Sequence, residues 1–154
     1  MPKAKVLILT GSKNDLELLK ATEELMKQFE IPYQIVVSSA HRNPDRTRKL
    51  AVEAEKKSIK VIIAAAGLAA HLAGVVASLT TLPVIGVPLP GSYFKGIDSF
   101  LSTLQMPAGT PVATVAVGSH GAQNAAILAA QILALSDEKL KKWLKRYKAE
   151  LAKK

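Results

Sequence analysis

The chain has 154 residues, 49% of them hydrophobic, and carries 21 Lys/Arg against 12 Asp/Glu for a formal net charge of +9. That length suits one domain with a sizeable core, so a single domain over residues 1–154 is expected. The absence of cysteine excludes disulfides, thiolate nucleophiles, iron–sulfur clusters and Cys-ligated zinc, and since nothing requires an oxidising compartment the expected location is cytoplasmic.

Short apolar runs alternate with amphipathic stretches, the pattern of a parallel sheet with crossover helices on both faces. The fold class is read as α/β: one three-layer domain with an open parallel sheet of about five strands, flavodoxin- or Rossmann-like, plus a C-terminal helix over 137–154. The apolar block Val6-Leu7-Ile8-Leu9 is too short for a signal peptide and reads as part of a first strand, Lys5–Leu9. A helix is expected from Asn14 to Phe29, with Leu16, Leu19, Leu25, Met26 and Phe29 on one stripe. A second strand, Gln34–Val37, runs into Ser38-Ser39-Ala40-His41-Arg42-Asn43-Pro44, where Asn43 is suited to cap a helix opening at Pro44. The third strand, Val61–Ala65, precedes a small-residue helix over Ala69–Leu79. The fourth, Val84–Val87, leads through Pro88–Gly96, the best candidate for a mobile loop, to a short helix at Ile97–Leu104. The fifth, Ala113–Val117, precedes a helix over Ala122–Ala134. No apolar stretch has the length and purity of a membrane span, so no membrane partner is expected.

The positive charge is uneven. Asp137–Lys154 holds eight Lys/Arg and three Asp/Glu, a net of +5 that leaves +4 for the first 136 residues. Leu140, Trp143, Leu144, Tyr147 and Leu151 recur there at helical spacing, so the lysines read as the solvated face of a packing helix. No nucleic-acid motif or interleaved surface aromatics accompany them, and no nucleic-acid partner is expected.

In open parallel sheets ligands bind beyond the carboxyl ends of the strands, so the segments after each strand are where site residues are sought. After the first comes Thr10-Gly11-Ser12-Lys13-Asn14-Asp15, a turn opening a helix. Free N–H groups and the Ser12 hydroxyl suit a phosphate there, and Asp15 can accept from ribose hydroxyls; equally, the turn reads as a capped helix with Asn14 or Asp15 as the cap. After the second, His41 supplies the side-chain type best suited to proton transfer near neutral pH, and Arg42 a forked donor for phosphate or carboxylate. A structural histidine near a helix start is the alternative for His41. After the third, Ala66-Gly67-Leu68-Ala69-Ala70-His71-Leu72 admits close backbone approach by a ligand, a helix or a subunit. His71, inside an apolar helix, reads first as a packing residue, and His120 as part of an exposed turn. Three histidines without cysteine or clustered carboxylates give no zinc spacing, so no metal is expected, and no G-x-S-x-G elbow supports a serine nucleophile.

Taken together, Gly11-Ser12-Lys13-Asn14-Asp15, Ser39-Ala40-His41-Arg42-Asn43-Pro44, Ala66-Gly67-Leu68-Ala69-Ala70-His71-Leu72, Gly96-Ile97-Asp98-Ser99, Gln105-Met106-Pro107 and Gly121-Ala122-Gln123-Asn124 resemble the PurE family of purine biosynthesis, in that family's order and spacings. The resemblance implies a mutase that moves the carboxylate of N5-carboxyaminoimidazole ribonucleotide from the exocyclic nitrogen to ring carbon C4 by decarboxylation and recarboxylation, with no metal or organic cofactor. It makes His41 the proton shuttle. It makes Ser12, Asp15 and Arg42 contacts to the nucleotide, with Gly11, Ser39 and Ala40 beside them, and Gly67, Ala70, His71 and Leu72 a wall over the imidazole and CO2. It further implies a homo-oligomer, typically an octamer. The chain departs from the family's usual Ser at Asn14, Gly at Ala65 and Leu68, and Pro at Ala73, and Leu68 adds bulk beside the expected ligand. Related carboxylases using free CO2 resemble Ser-Ala-His-Lys where this chain has Ser39-Ala40-His41-Arg42, which favours the mutase over them. A non-catalytic phosphosugar-binding module is the other alternative, and His41 speaks against it.

Overall fold

The computed structural model describes residues 3–153. Five strands, β1 (Val6–Thr10), β2 (Tyr33–Val37), β3 (Val61–Ala66), β4 (Val84–Pro88) and β5 (Ala113–Thr114), form one all-parallel sheet in the order β2-β1-β3-β4-β5. The helices are α1 (Leu16–Gln28), α2 (Pro44–Glu53), α3 (Leu72–Ala77), α4 (Ile97–Leu104), α5 (Ser119–Leu133) and α6 (Glu138–Leu151), giving the expected α/β architecture with a C-terminal helix.

Strand alternation sorts the core into two layers. Val6 and Ile8 of β1 and Val61, Ile63 and Ala65 of β3 face one side, packing with Leu19 and Met26 of α1, the alanines of α5, and Leu140 and Leu144 of α6. Leu7, Leu9, Ile62 and Ala64 face the other, against Ala51 of α2 and Leu72, Ala73 and Val76 of α3. Both faces of β1 and β3 are covered, which is why these strands read as unbroken apolar runs. Alanines let α5 lie close to the sheet and to α1, where the buried Thr22 hydroxyl donates to the Ala122 carbonyl at 2.7 Å. Among the described residues no helix is long and apolar enough to cross a membrane.

Several boundaries differ from expectation for reasons that lie outside the local sequence. The strand expected at Ala113–Val117 ends at Thr114: Val115 N–H still reaches the Gly86 carbonyl, but Gly118 N–H then bonds the Pro88 carbonyl and the chain swings into α5. At that bend a Cβ on Gly121 would lie 1.6 Å from the Ala116 carbonyl oxygen, so only glycine permits the close approach. As a result α5 starts at Ser119 rather than Ala122, and His120 belongs to its exposed first turn instead of a preceding turn. Helix α3 starts at Leu72 rather than Ala69, because Leu68 adopts φ 56 and the Ala70 N–H is taken by the Ser102 hydroxyl of α4 at 2.9 Å. Ahead of α1, Lys13–Asp15 form a separate 3₁₀ turn.

Candidate functional site

Strand order reverses between β1 and β3, whose following loops diverge to opposite sides and open a crevice at the carboxyl end of the sheet. The three segments singled out in the sequence meet there. Ser38 N–H bonds the Thr10 carbonyl at 2.8 Å, continuing the β1–β2 pairing past the strands, and the buried Ser38 hydroxyl pairs with that of Thr47 on α2 at 2.8 Å. Between these anchors Ser39–Arg42 form a tight turn: the Ser39 hydroxyl accepts from Arg42 N–H at 3.2 Å and its carbonyl from Asn43 N–H at 2.9 Å. Asn43 then caps α2 as the sequence predicts, its Oδ1 accepting from Arg46 N–H at 3.2 Å, with Pro44 in the first turn.

His41 and Arg42 are thereby turned outward and exposed. Arg42 reaches across to the first loop, its Nη2 donating to the Gly11 carbonyl at 2.8 Å. His41 reaches across to the third: its Nε2 lies 2.9 Å from His71 Nδ1, with ring centroids 5.0 Å apart and the planes at 85°. A nitrogen–nitrogen contact this short holds one hydrogen, so one ring donates and the other accepts. His71 is therefore an exposed residue just ahead of α3 that faces His41, rather than the packing residue its apolar neighbours suggest.

In the first loop Ser12, not Asn14 or Asp15, supplies the side-chain cap, accepting from Asn14 N–H at 3.2 Å. Asp15 is left to accept from the Thr10 hydroxyl at 3.2 Å. Burial pushes the Asp15 carboxyl above its ordinary value, against the opposing pull of the Thr10 hydroxyl, a main-chain hydrogen bond at Ser12 and the positive charge of Arg42. In the third loop a Cβ on Gly67 would stand 3.3 Å from the Leu89 carbonyl oxygen, so the loop presses close to the segment after β4. Ala70 and Leu72 are buried, leaving main chain as what they can offer a ligand, whereas Leu68 is 61% exposed. Sequence reading missed Thr10 and Ser102. Thr10 could have been found as the polar residue ending a buried strand; Ser102 acts on Ala70 across 32 residues and leaves no local signal.

An imidazole pair, a guanidinium and a partly buried carboxylate, gathered at the switch point of a parallel sheet, define an α/β protein with a crevice suited to an anionic, hydroxyl-bearing small molecule and to proton transfer. The family model described as AIR carboxylase matches residues 5–154, and the chain belongs to that family. It is 52% identical over 147 residues to the N5-carboxyaminoimidazole ribonucleotide mutase of Saccharolobus solfataricus, covering 96% of this chain and 92% of the relative. It is 47% identical over 152 residues to the enzyme of the same name from Pyrococcus horikoshii, covering 99% and 85%. The crystal structure of Treponema denticola PurE superposes with a TM-score of 0.87 at 32% identity, covering 96% of this chain and 91% of that one.

Proposed function

We propose that this chain is an N5-carboxyaminoimidazole ribonucleotide mutase of purine biosynthesis, an isomerase that moves a carboxylate from the exocyclic nitrogen to C4 of the imidazole. The observation carrying this reading is the placement of His41, Arg42, Asp15 and His71 around one crevice in a chain about half identical to mutases along nearly its full length. Arg42 and the Ser12 turn bind the phosphate, Asp15 accepts from the ribose, and Gly11, Ser39 and Ala40 bring main chain and a hydroxyl against the nucleotide. Gly67, Ala70, His71 and Leu72 border the ring. His41 gives a proton to the exocyclic nitrogen as the carboxylate leaves as CO2, then takes the C4 proton after the ring recaptures it. One group serves both halves because the first leaves it in the form that the second needs.

The same reading makes the chain one domain in a reducing, cytoplasmic setting, assembled as a homo-oligomer of octamer size. Helix α4 supports assembly: Ile97, Phe100, Leu101 and Leu104 lie on one face, from 36% to 64% exposed, an apolar stripe of the kind subunit contacts cover.

Incubation with N5-carboxyaminoimidazole ribonucleotide, and separately with aminoimidazole ribonucleotide plus bicarbonate, tests the activity. The C4-carboxylated product is expected readily in the first assay. Product in the second assay alone would replace the mutase by a carboxylase that uses free CO2.

A further inference from the structure

Strand β1 is buried along its whole length, and Thr10 is its last residue on the α1 side, after Val6 and Ile8. The other four residues of the strand are aliphatic, and Thr10 sits in register between Val37 of β2 and Ala65 of β3. Valine has the shape for such a place and brings no hydroxyl, whereas a buried hydroxyl costs stability unless it finds a partner. The partner here belongs to the crevice. The Thr10 hydroxyl donates to Asp15 Oδ2 at 3.2 Å, with the Ser12 carbonyl more distant at 3.5 Å. The donor is anchored, since the Thr10 carbonyl accepts from Ser38 N–H at 2.8 Å, while Asp15 stands on the 3₁₀ turn that follows. Arg42 spends its Nη2 on the Gly11 carbonyl at 2.8 Å and, among the described residues, forms no ion pair with Asp15. The side chain that holds the carboxylate is therefore Thr10.

We propose that Thr10 is a positioning residue for nucleotide binding, its hydroxyl fixing the orientation in which the Asp15 carboxylate receives the ribose hydroxyls; this rests on the ribose role of Asp15 in the mutase reading. A carboxylate that is already turned and held loses less freedom when the nucleotide arrives. The same hydrogen bond acts on its charge. An ionised carboxylate only accepts, which suits hydroxyl donors, whereas a protonated one presents a donor of its own. Burial raises Asp15 toward the protonated form, and the Thr10 hydroxyl, main chain at Ser12 and the Arg42 guanidinium oppose it. Removing the hydroxyl therefore loosens the carboxylate and lets it take up a proton at higher pH.

The test compares the wild type with Thr10→Val, Thr10→Ser, Asp15→Asn and the double variant of Thr10→Val with Asp15→Asn. Turnover of N5-carboxyaminoimidazole ribonucleotide gives KM and kcat, and melting curves report folding. Calorimetry follows binding of the C4-carboxylated product between about pH 5 and about pH 8. Thr10→Val is expected to melt no lower than the wild type, to raise KM about tenfold with kcat within about twofold, and to lose affinity at a higher pH on acidification. Thr10→Ser, which keeps the hydroxyl, recovers most of the affinity, and Thr10→Val adds nothing in the Asp15→Asn background. Thr10→Ala supplies the same readout if Thr10→Val does not fold. A wild-type KM and an unshifted pH profile in Thr10→Val overturn this inference alone. So does an equal loss of affinity in the Asp15→Asn background, which would make Thr10 a structural residue of the turn. Product binding by Asp15→Asn at wild-type affinity removes the ribose role of Asp15 and this inference with it, leaving the activity standing. No turnover by the wild type overturns the mutase reading, and this inference with it.

Discussion

At the carboxyl end of the sheet His41, Arg42 and His71 stand exposed, held by single hydrogen bonds between loops that belong to three different strands. At the amino end Phe29, at the close of α1, is buried against the edge of Trp143 on α6, their ring centroids 4.4 Å apart at 88°, and Trp143 stacks on Tyr147 at 5.7 Å. The first arrangement spends polar groups on a crevice and gains little packing from them. The second turns the basic helix α6 into a clamp, with Lys139 paired to Glu30 at 2.6 Å and Lys5 to Asp137 at 3.8 Å around its start. On the proposed function, chemistry and stability fall at opposite ends of one sheet, and substitutions should separate them.

The largest effect belongs to the carboxyl end. His41→Asn keeps a polar side chain of modest size at an exposed position but removes the imidazole to which the proposed function gives the proton transfer. Turnover is expected to fall by about 10³-fold with nucleotide binding and melting temperature nearly unchanged. Full activity would reassign the acid–base role to another residue. Next comes Trp143→Ala at the amino end, expected to lower unfolding free energy by about 2–3 kcal/mol, since a partly buried indole and its ring contacts are lost. Denaturant titration measures it. Turnover per folded molecule should stay within about twofold of wild type; a large loss in that measure would show that α6 shapes the crevice after all.

How much of this was legible in the sequence depended on how far each residue's partner lay along the chain. Strands β1, β3 and β4 were plain because burial on both faces leaves no polar alternation to confuse the reading. Helix α4 and the Asn43-Pro44 start of α2 followed from local rules and hold as read. Local rules start helix α3 three residues too early because alanines favour helix, while the Ser102 hydroxyl that diverts the Ala70 N–H comes from a distant helix. The run Ala113–Val117 is apolar enough for a full strand, but the bend that ends it is set by Pro88 and Gly121. His71 shows the limit most clearly: among apolar neighbours it reads as packing, and only the topology brings it to His41, 30 residues away. The family motifs supplied what local rules could not, since they encode that convergence without deriving it.

The smallest effect is also the sharpest test of the contrast, because the two ends carry carboxylates displaced in opposite directions. Burial raises Asp15, so the folded chain holds that proton more tightly than the unfolded chain, and its favourable contribution, complete in acid, is lost as pH rises through the raised value. Glu30 is lowered by its hydrogen bond and charge pairing with Lys139, so its contribution is present above the ordinary carboxylate range and lost as pH falls through the lowered value. Asp15→Asn should therefore gain stability relative to wild type between about pH 3 and about pH 6, while Glu30→Gln should lose it over the same span. Melting curves at several pH values read both slopes. Added salt distinguishes the causes: it should flatten the Glu30 difference, which comes from an exposed ion pair, and leave most of the Asp15 difference, which comes from burial. Parallel curves for the two variants would mean that the carboxylate of the crevice carries no stability cost, and that the division between the two ends is one of packing alone.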